Sequence, residues 1–168
     1  MDELLTEPVL ERIYRHAVEA HPAEACGFVR AAGVKHCDNV IDQLTRERPD
    51  HFTRKATTGY AFGVADLREL AESFDTDDPV RIIYHSHPDV GAYFSDEDHR
   101  HAVFEGMPVY PVRHLVVDAT ATGVRGARLF DFSAEAGRYV EVAVLGQPND
   151  RTPGDRTPVA DVETGSAR

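Results

Sequence analysis

Within the run His85-Ser86-His87-Pro88, two histidines stand two positions apart, and Ser95 and Asp98 follow at short range. The histidines come directly after the apolar run Val80-Arg81-Ile82-Ile83-Tyr84, which reads as a strand. Strand side chains alternate between faces, so both imidazoles point to one side and Ser86 to the other. Imidazole is a good zinc ligand, and a carboxylate is the usual third protein ligand of a hydrolytic zinc site. Asp98 falls in the first turn of a helix predicted to begin at Ser95, close enough in sequence to fold back over the two rings. Two histidines and one aspartate leave a fourth tetrahedral position for water, the arrangement of a catalytic zinc; a structural site would be closed.

Plainer readings exist for each residue. A lone histidine is usually surface or core material, although the pair together with Asp98 argues against that here. Ser95 also suits a helix N-cap, since Ser95-Asp96-Glu97-Asp98 is a variant of the capping box. Asp98 also suits the helix dipole as a first-turn acid. Glu24, taken alone, is an ordinary acid near a helix end. His99 and His101 form a second His-x-His, but residues two apart on a helix do not share a face, so they read as exposed or at best as lying on the substrate side. Cys26, two residues beyond Glu24, would share a strand face with it and could lie near the metal; it reads as a core thiol, with a redox-sensitive thiol as the alternative. Cys37 has no recognisable partner. The His-x-Glu and Pro-Cys-x-x-Cys signatures of a cytidine deaminase are absent, as are His-Glu-x-x-His, a P-loop and a Gly-x-Ser-x-Gly elbow.

His-Ser-His-Pro with Ser95 and Asp98, preceded by Pro22-Ala23-Glu24-Ala25-Cys26-Gly27, resembles the JAMM (MPN+) metalloprotease motif, and the likeness extends over most of residues 1–146. The resemblance implies a cytidine-deaminase-like MPN fold of the α/β (α+β) class, a curved mixed sheet flanked by helices. It implies one Zn2+ per chain with a bound water, held by His85, His87 and Asp98. Glu24 would accept the proton of that water and deliver it to the leaving amine, and Ser95 would help hold the oxyanion of the tetrahedral intermediate. Family members hydrolyse peptide or isopeptide bonds after the C-terminal Gly-Gly of ubiquitin or ubiquitin-like proteins.

The elements that must position these residues are legible in outline. Thr6-Glu7-Pro8 opens a helix whose apolar stripe is Val9, Leu10, Ile13, Tyr14, Ala17 and Val18, closed at His21-Pro22. Ala25–Ala32 and Val34–Ile41 read as two strands of a hairpin around Gly33. Residues 42–59 read as a polar loop, and Val64–Phe74 as a second helix with Leu67, Leu70, Ala71 and Phe74 on one face. Ser95–Glu105 reads as a third helix stopped by Gly106. His114–Val117, Ala127–Phe132 and Tyr139–Leu145 read as strands. This mixed order favours an α/β or α+β sandwich over a bundle. Residues 147–168, with three prolines and the echo Asp150-Arg-Thr-Pro153, Asp155-Arg-Thr-Pro158, read as a mobile tail, leaving a domain of residues 1–146.

Composition bounds the function. The 168 residues suit one domain with a core that needs no staple. No apolar run approaches the roughly 20 residues of a membrane span. The acidic start, Met1-Asp2-Glu3, lacks a signal-peptide core, and two cysteines are too few for a secreted disulfide framework, so a cytoplasmic location is expected. With 29 acidic against 18 basic side chains the net charge is −11, which opposes nucleic-acid phosphates. The densest basic stretch, Arg46–Lys55, is broken by Glu47 and Asp50.

The resulting expectation is a stand-alone prokaryotic-type zinc peptidase or isopeptidase. Its partner would be a ubiquitin-like or sulfur-carrier protein whose Gly-Gly tail enters extended, as an added strand. Two rivals remain: a non-catalytic MPN interaction scaffold, and a zinc amidase acting on a small molecule. Homodimerisation is left open.

Overall fold

The computed structural model describes residues 3–146. Helix α1 spans Glu7–Ala20, with Thr6 in the N-cap backbone position and Glu7 and Pro8 in the first turn. Strands β1 (Cys26–Arg30) and β2 (Gly33–Cys37) form the expected hairpin, with Gly33 at φ +130 opening β2, which ends at Cys37 and not at the expected Ile41. Helices α2 (Ile41–Glu47) and α3 (Val64–Ser73) precede β3 (Ile82–Pro88). Helix α4 (Asp96–Ala102) leads into the short hairpin β4 (Val103–Phe104) and β5 (Met107–Pro108). The chain then runs through β6 (Arg113–Thr120), β7 (Gly123–Ser133) and β8 (Arg138–Leu145).

Six strands form one sheet in the order β2-β1-β3-β6-β7-β8. All neighbours are antiparallel except β3 and β6, so the sheet is mixed, and α4 lies in the crossover between the two parallel strands. The alternation of β3 divides the core. Ile82 and Tyr84 pack with Ile13, Tyr14 and Ala17 of α1 on one face. On the other face, Ile83 joins Cys26, Phe28 and Leu70 of α3, while Val116, Phe94, Phe130 and Tyr139 gather beside α4. Each fully buried side chain of this size contributes about 1.5–3 kcal/mol. The expected curved sheet with flanking helices is thus a mixed six-stranded sheet covered on both faces.

Three expectations need correction. Residues 42–59 are not loop throughout: α2 forms at Ile41–Glu47 with Asp42 in its first turn and Arg46 in its last, which complements the helix dipole. Only Ile41 of this helix is buried, so its polar sequence carries no apolar stripe. The helix expected to reach Glu105 ends at Ala102, because Glu105 and Gly106 take positive φ (49 and 76) and turn the chain into the β4–β5 hairpin. In α3, Leu70 and Ser73 are buried, whereas Leu67 is 41% exposed, so the expected stripe is rotated. The proposed tail, residues 147–168, lies outside the described residues.

Candidate metal centre

His85 and His87 lie within β3 itself, which continues to Pro88, and both point to the face shared by α3 and α4. His85 is completely buried and His87 nearly so. Their Nε2 atoms are 3.2 Å apart. His85 Nε2 lies 3.5 Å from Asp98 Oδ1, and His87 Nε2 lies 3.7 Å from Asp98 Oδ2. An ion about 2.0–2.1 Å from each ligand of a tetrahedron sets those ligands about 3.3–3.4 Å apart, so the donor set matches the spacing zinc requires. Among the described residues this is the one cluster of three or more such side chains able to hold a metal ion.

The surroundings fix the ligands unequally. His87 Nδ1 sits 3.1 Å from the Gly91 carbonyl, which can only accept, so this nitrogen carries the hydrogen and Nε2 keeps its lone pair for the site. Gly91 itself adopts φ +97, and its N–H donates to Asp118. His85 Nδ1 has no hydrogen-bond partner among the described residues. Its ring is instead stacked on Tyr60, with centroids 4.8 Å apart and planes 25° apart. Tyr93 meets the His87 ring edge-on at 4.8 Å.

Asp98 is held by a complete capping box at the start of α4. The Ser95 N–H and hydroxyl both donate to Asp98 Oδ2, at 2.8 and 2.7 Å, while the Asp98 N–H donates to Ser95 Oγ at 3.1 Å. The Ser95 hydroxyl hydrogen is therefore directed at the metal-site carboxylate. Burial would raise the pKa of Asp98, but the neighbouring histidines and the Ser95 hydroxyl override it and hold the carboxyl well below its ordinary range. For His85, burial disfavours the charged ring, and Asp98 and then Glu24 outweigh it, raising its pKa.

Glu24 stands just before β1 and is 6% exposed. Its backbone is tied on both sides: its N–H donates to the Ala56 carbonyl, and its own carbonyl accepts from Asn39. Ser86, between the two histidines and facing away from them, anchors the next residue. Its Oγ accepts from the Ala25 N–H at 2.8 Å, and its N–H donates to the Ala25 carbonyl at 2.9 Å. The Glu24 carboxyl shares electrostatic contact with His85, His87 and Asp98, and burial raises its pKa. Glu24, His87, Ser95 and Asp98 all line one cleft of about 620 Å3. The structure thus brings all five sequence-predicted residues together.

The remaining candidates resolve differently. Cys26 shares its sheet face with Phe28 and pairs with His85 across β1 and β3, but it is fully buried and its Sγ contacts the Cys37 carbonyl at 3.8 Å. Burial pushes its thiol pKa far up, so it is a core thiol. His101 is exposed and bonds Glu97 at 3.0 Å, whereas His99 is half-buried against Phe94 and accepts from Arg138 at 3.0 Å. Sequence reasoning missed Tyr60, Tyr93 and His114, which also line the cleft. His114 is buried between Phe94 and Tyr139, and burial lowers its pKa to about 3. No local spacing pattern marks these three.

Comparison with known proteins agrees with this architecture. The solution structure of a protein from Desulfitobacterium hafniense superposes with a TM-score of 0.54 at 19% identity, covering 82% of this chain and 87% of that one. The solution structure of a Salinibacter ruber protein gives a TM-score of 0.51 at 19% identity, covering 88% of this chain and 93% of that one. Both likenesses concern the fold. No curated protein matches the sequence. The model of the prokaryotic homologues of the JAB domain matches residues 6–130, a span that includes Glu24, both histidines, Ser95 and Asp98, and the chain belongs to that family.

Proposed function

We propose that the protein is a zinc-dependent peptidase or isopeptidase. The observation that carries this reading is the His85–His87–Asp98 donor set at 3.2–3.7 Å, with the buried Glu24 carboxyl lining the same cleft. Zinc, when bound, would polarise the scissile carbonyl and make its water acidic enough to attack near neutral pH. Glu24 would accept a proton from the attacking water and return it to the departing amine; its raised pKa suits a group that must do both. His87 offers Nε2 because Gly91 holds its other nitrogen, and Ser95 keeps the Asp98 carboxylate in place. Ser95 can serve the oxyanion only by redirecting the hydroxyl hydrogen it now gives to Asp98.

The proposed substrate is the extended Gly-Gly tail of a ubiquitin-like or sulfur-carrier protein, with cleavage after the second glycine. Tyr60 and Tyr93 line the same cleft, each against one of the histidines, and rings placed there would favour residues without side chains at the scissile bond. A cytoplasmic location fits two buried, unpaired cysteines. Glu24→Gln should lower turnover of such a conjugate by at least about 100-fold while one zinc per chain stays bound. Full activity in that variant refutes the mechanism.

A cleft of about 620 Å3 also falls within the size range of small-ligand sites, which supports a zinc amidase as the second reading. Cleavage of small acylated amides with no release from a Gly-Gly carrier conjugate would select it. The third reading, a non-catalytic scaffold, predicts no zinc uptake by elemental analysis.

A further inference from the structure

We propose that Asn39 is a positioning residue that ties the glutamate of the site to the aromatic ring that orients His85. The inference rests on the zinc-site reading above. Asn39 lies between β2 and α2, remote in sequence from every motif residue. Its side-chain amide has two donor hydrogens and two acceptor lone pairs, and all four are used. Nδ2 donates to the Glu24 carbonyl and to the Gly59 carbonyl, each at 3.0 Å. Oδ1 accepts from the Ile41 N–H and the Ala61 N–H, each at 3.2 Å. The opposite amide orientation would set donors against donors and carbonyls against carbonyls, so the partners themselves dictate the orientation.

These bonds converge on the site from two directions. Gly59 and Ala61 flank Tyr60, so Asn39 grips the backbone on both sides of the ring stacked on His85. The same Nδ2 fixes the backbone of Glu24. A metal-binding histidine is normally oriented by a hydrogen bond from its non-ligating nitrogen, as His87 is by Gly91. Among the described residues His85 Nδ1 has no such bond, and the Tyr60 stack takes its place. A backbone bond from the Val40 N–H to the Ala61 carbonyl, at 3.0 Å, also keeps the loop close to Asn39. Releasing the amide would therefore loosen His85 through Tyr60, and Glu24 through its carbonyl, without removing any ligand.

Asn39→Asp keeps the shape and the acceptor but loses both donors. Tyr60→Leu removes the stack and leaves the amide clamp. Cobalt(II) binding is the readout, followed by titration and by the visible d–d absorption, which reports ligand geometry whether or not the protein hydrolyses anything. Both variants are expected to bind cobalt at least about tenfold more weakly than the parent and to show a shifted absorption band. A lower Tm with parental cobalt affinity and spectrum in Asn39→Asp would make the residue a loop staple only and overturn the proposal. If Asn39→Asp does not fold, Tyr60→Leu decides, and unchanged cobalt binding in that variant overturns it equally. A parent protein that takes up no cobalt or zinc overturns the zinc-site reading and this inference together. A parent that binds metal but cleaves no carrier conjugate removes the proposed activity alone.

Discussion

Ser95 shows how one hydroxyl can serve both a helix and a metal site. It caps α4 and at the same time gives its hydrogen to the carboxylate proposed as the third ligand. Ser95→Ala removes both contributions. The lost cap costs about 1 kcal/mol, which lowers Tm by about 2–4 °C in a domain of this size. The freed Asp98 carboxylate should weaken zinc binding about tenfold, while Ser95→Thr retains most of the affinity. Zinc titration separates this from a purely catalytic role, which predicts parental affinity and a loss confined to kcat. The grouping of His85, His87 and Asp98 was legible in the sequence because β-strand period and short spacing place them together. Tyr60 and Asn39 were not, because their partners Glu24 and His85 lie far along the chain and nothing about a tyrosine or an asparagine in a polar stretch announces a stack or a four-bond clamp.

Among the elements, α1 and β2 contain a titratable pair away from the metal centre. His16 of α1 and His36 of β2 stack with centroids 4.2 Å apart and planes 5° apart, and His16 Nδ1 shares a 2.8 Å hydrogen bond with the Tyr84 hydroxyl. Burial lowers the pKa of both; the charge of His36 adds to this for His16, and that of Arg12 for His36, against the opposing pull of Glu19 on both and of Asp38 on His16. A folded-state pKa below the unfolded value means that the pair's contribution is fully present above about pH 6.5 and is lost as pH falls through the folded values. Tm should therefore decline as pH falls below about 6.5, and His16→Gln should flatten that decline; an equal slope in the variant would place the acid sensitivity elsewhere. Elements with a strong apolar period, α1 and the buried strands, could be read from the sequence. Helix α2 and the β4–β5 hairpin could not, because the former buries only Ile41 and the latter depends on the positive φ of Glu105 and Gly106.

For the whole molecule, the largest part of the core lies apart from the site. The cluster that packs α1 against Ile82, Tyr84, Leu115 and Val117 lies on the sheet face opposite the histidines. Chelation should abolish hydrolysis yet leave a cooperatively folded chain, and zinc at about 100 times its Kd should restore about 2.7 kcal/mol of stability. Loss of the folding transition on chelation would contradict this. Length and composition lead to the expectation of a domain that stands without a metal staple, whereas the mixed strand order could not be read from them, since pairings such as β1 with β3 are set by contacts remote in sequence. The net charge of −11 still argues against nucleic acid. Within the cleft, Arg54 and Glu97 approach to 3.7 Å, and Arg100 also pairs with Glu97, so neither arginine is a free counter-charge for an acidic carrier.

The two halves of the centre have different provenance along the chain. His85, His87 and Asp98 come from one contiguous strand–loop–helix cassette, closed on itself by the capping box and the Gly91 carbonyl. Glu24 arrives from an upstream segment, brought alongside by the pairing of Cys26 with His85 and by the bonds between Ala25 and Ser86. On the proposed reading, metal capture would be modular and local, whereas proton transfer would depend on long-range assembly. If the proposed activity holds, a single change upstream would end hydrolysis and leave the His85–His87–Asp98 cassette intact, so the boundary between an enzyme and an inert metal-binding relative would run through one side chain.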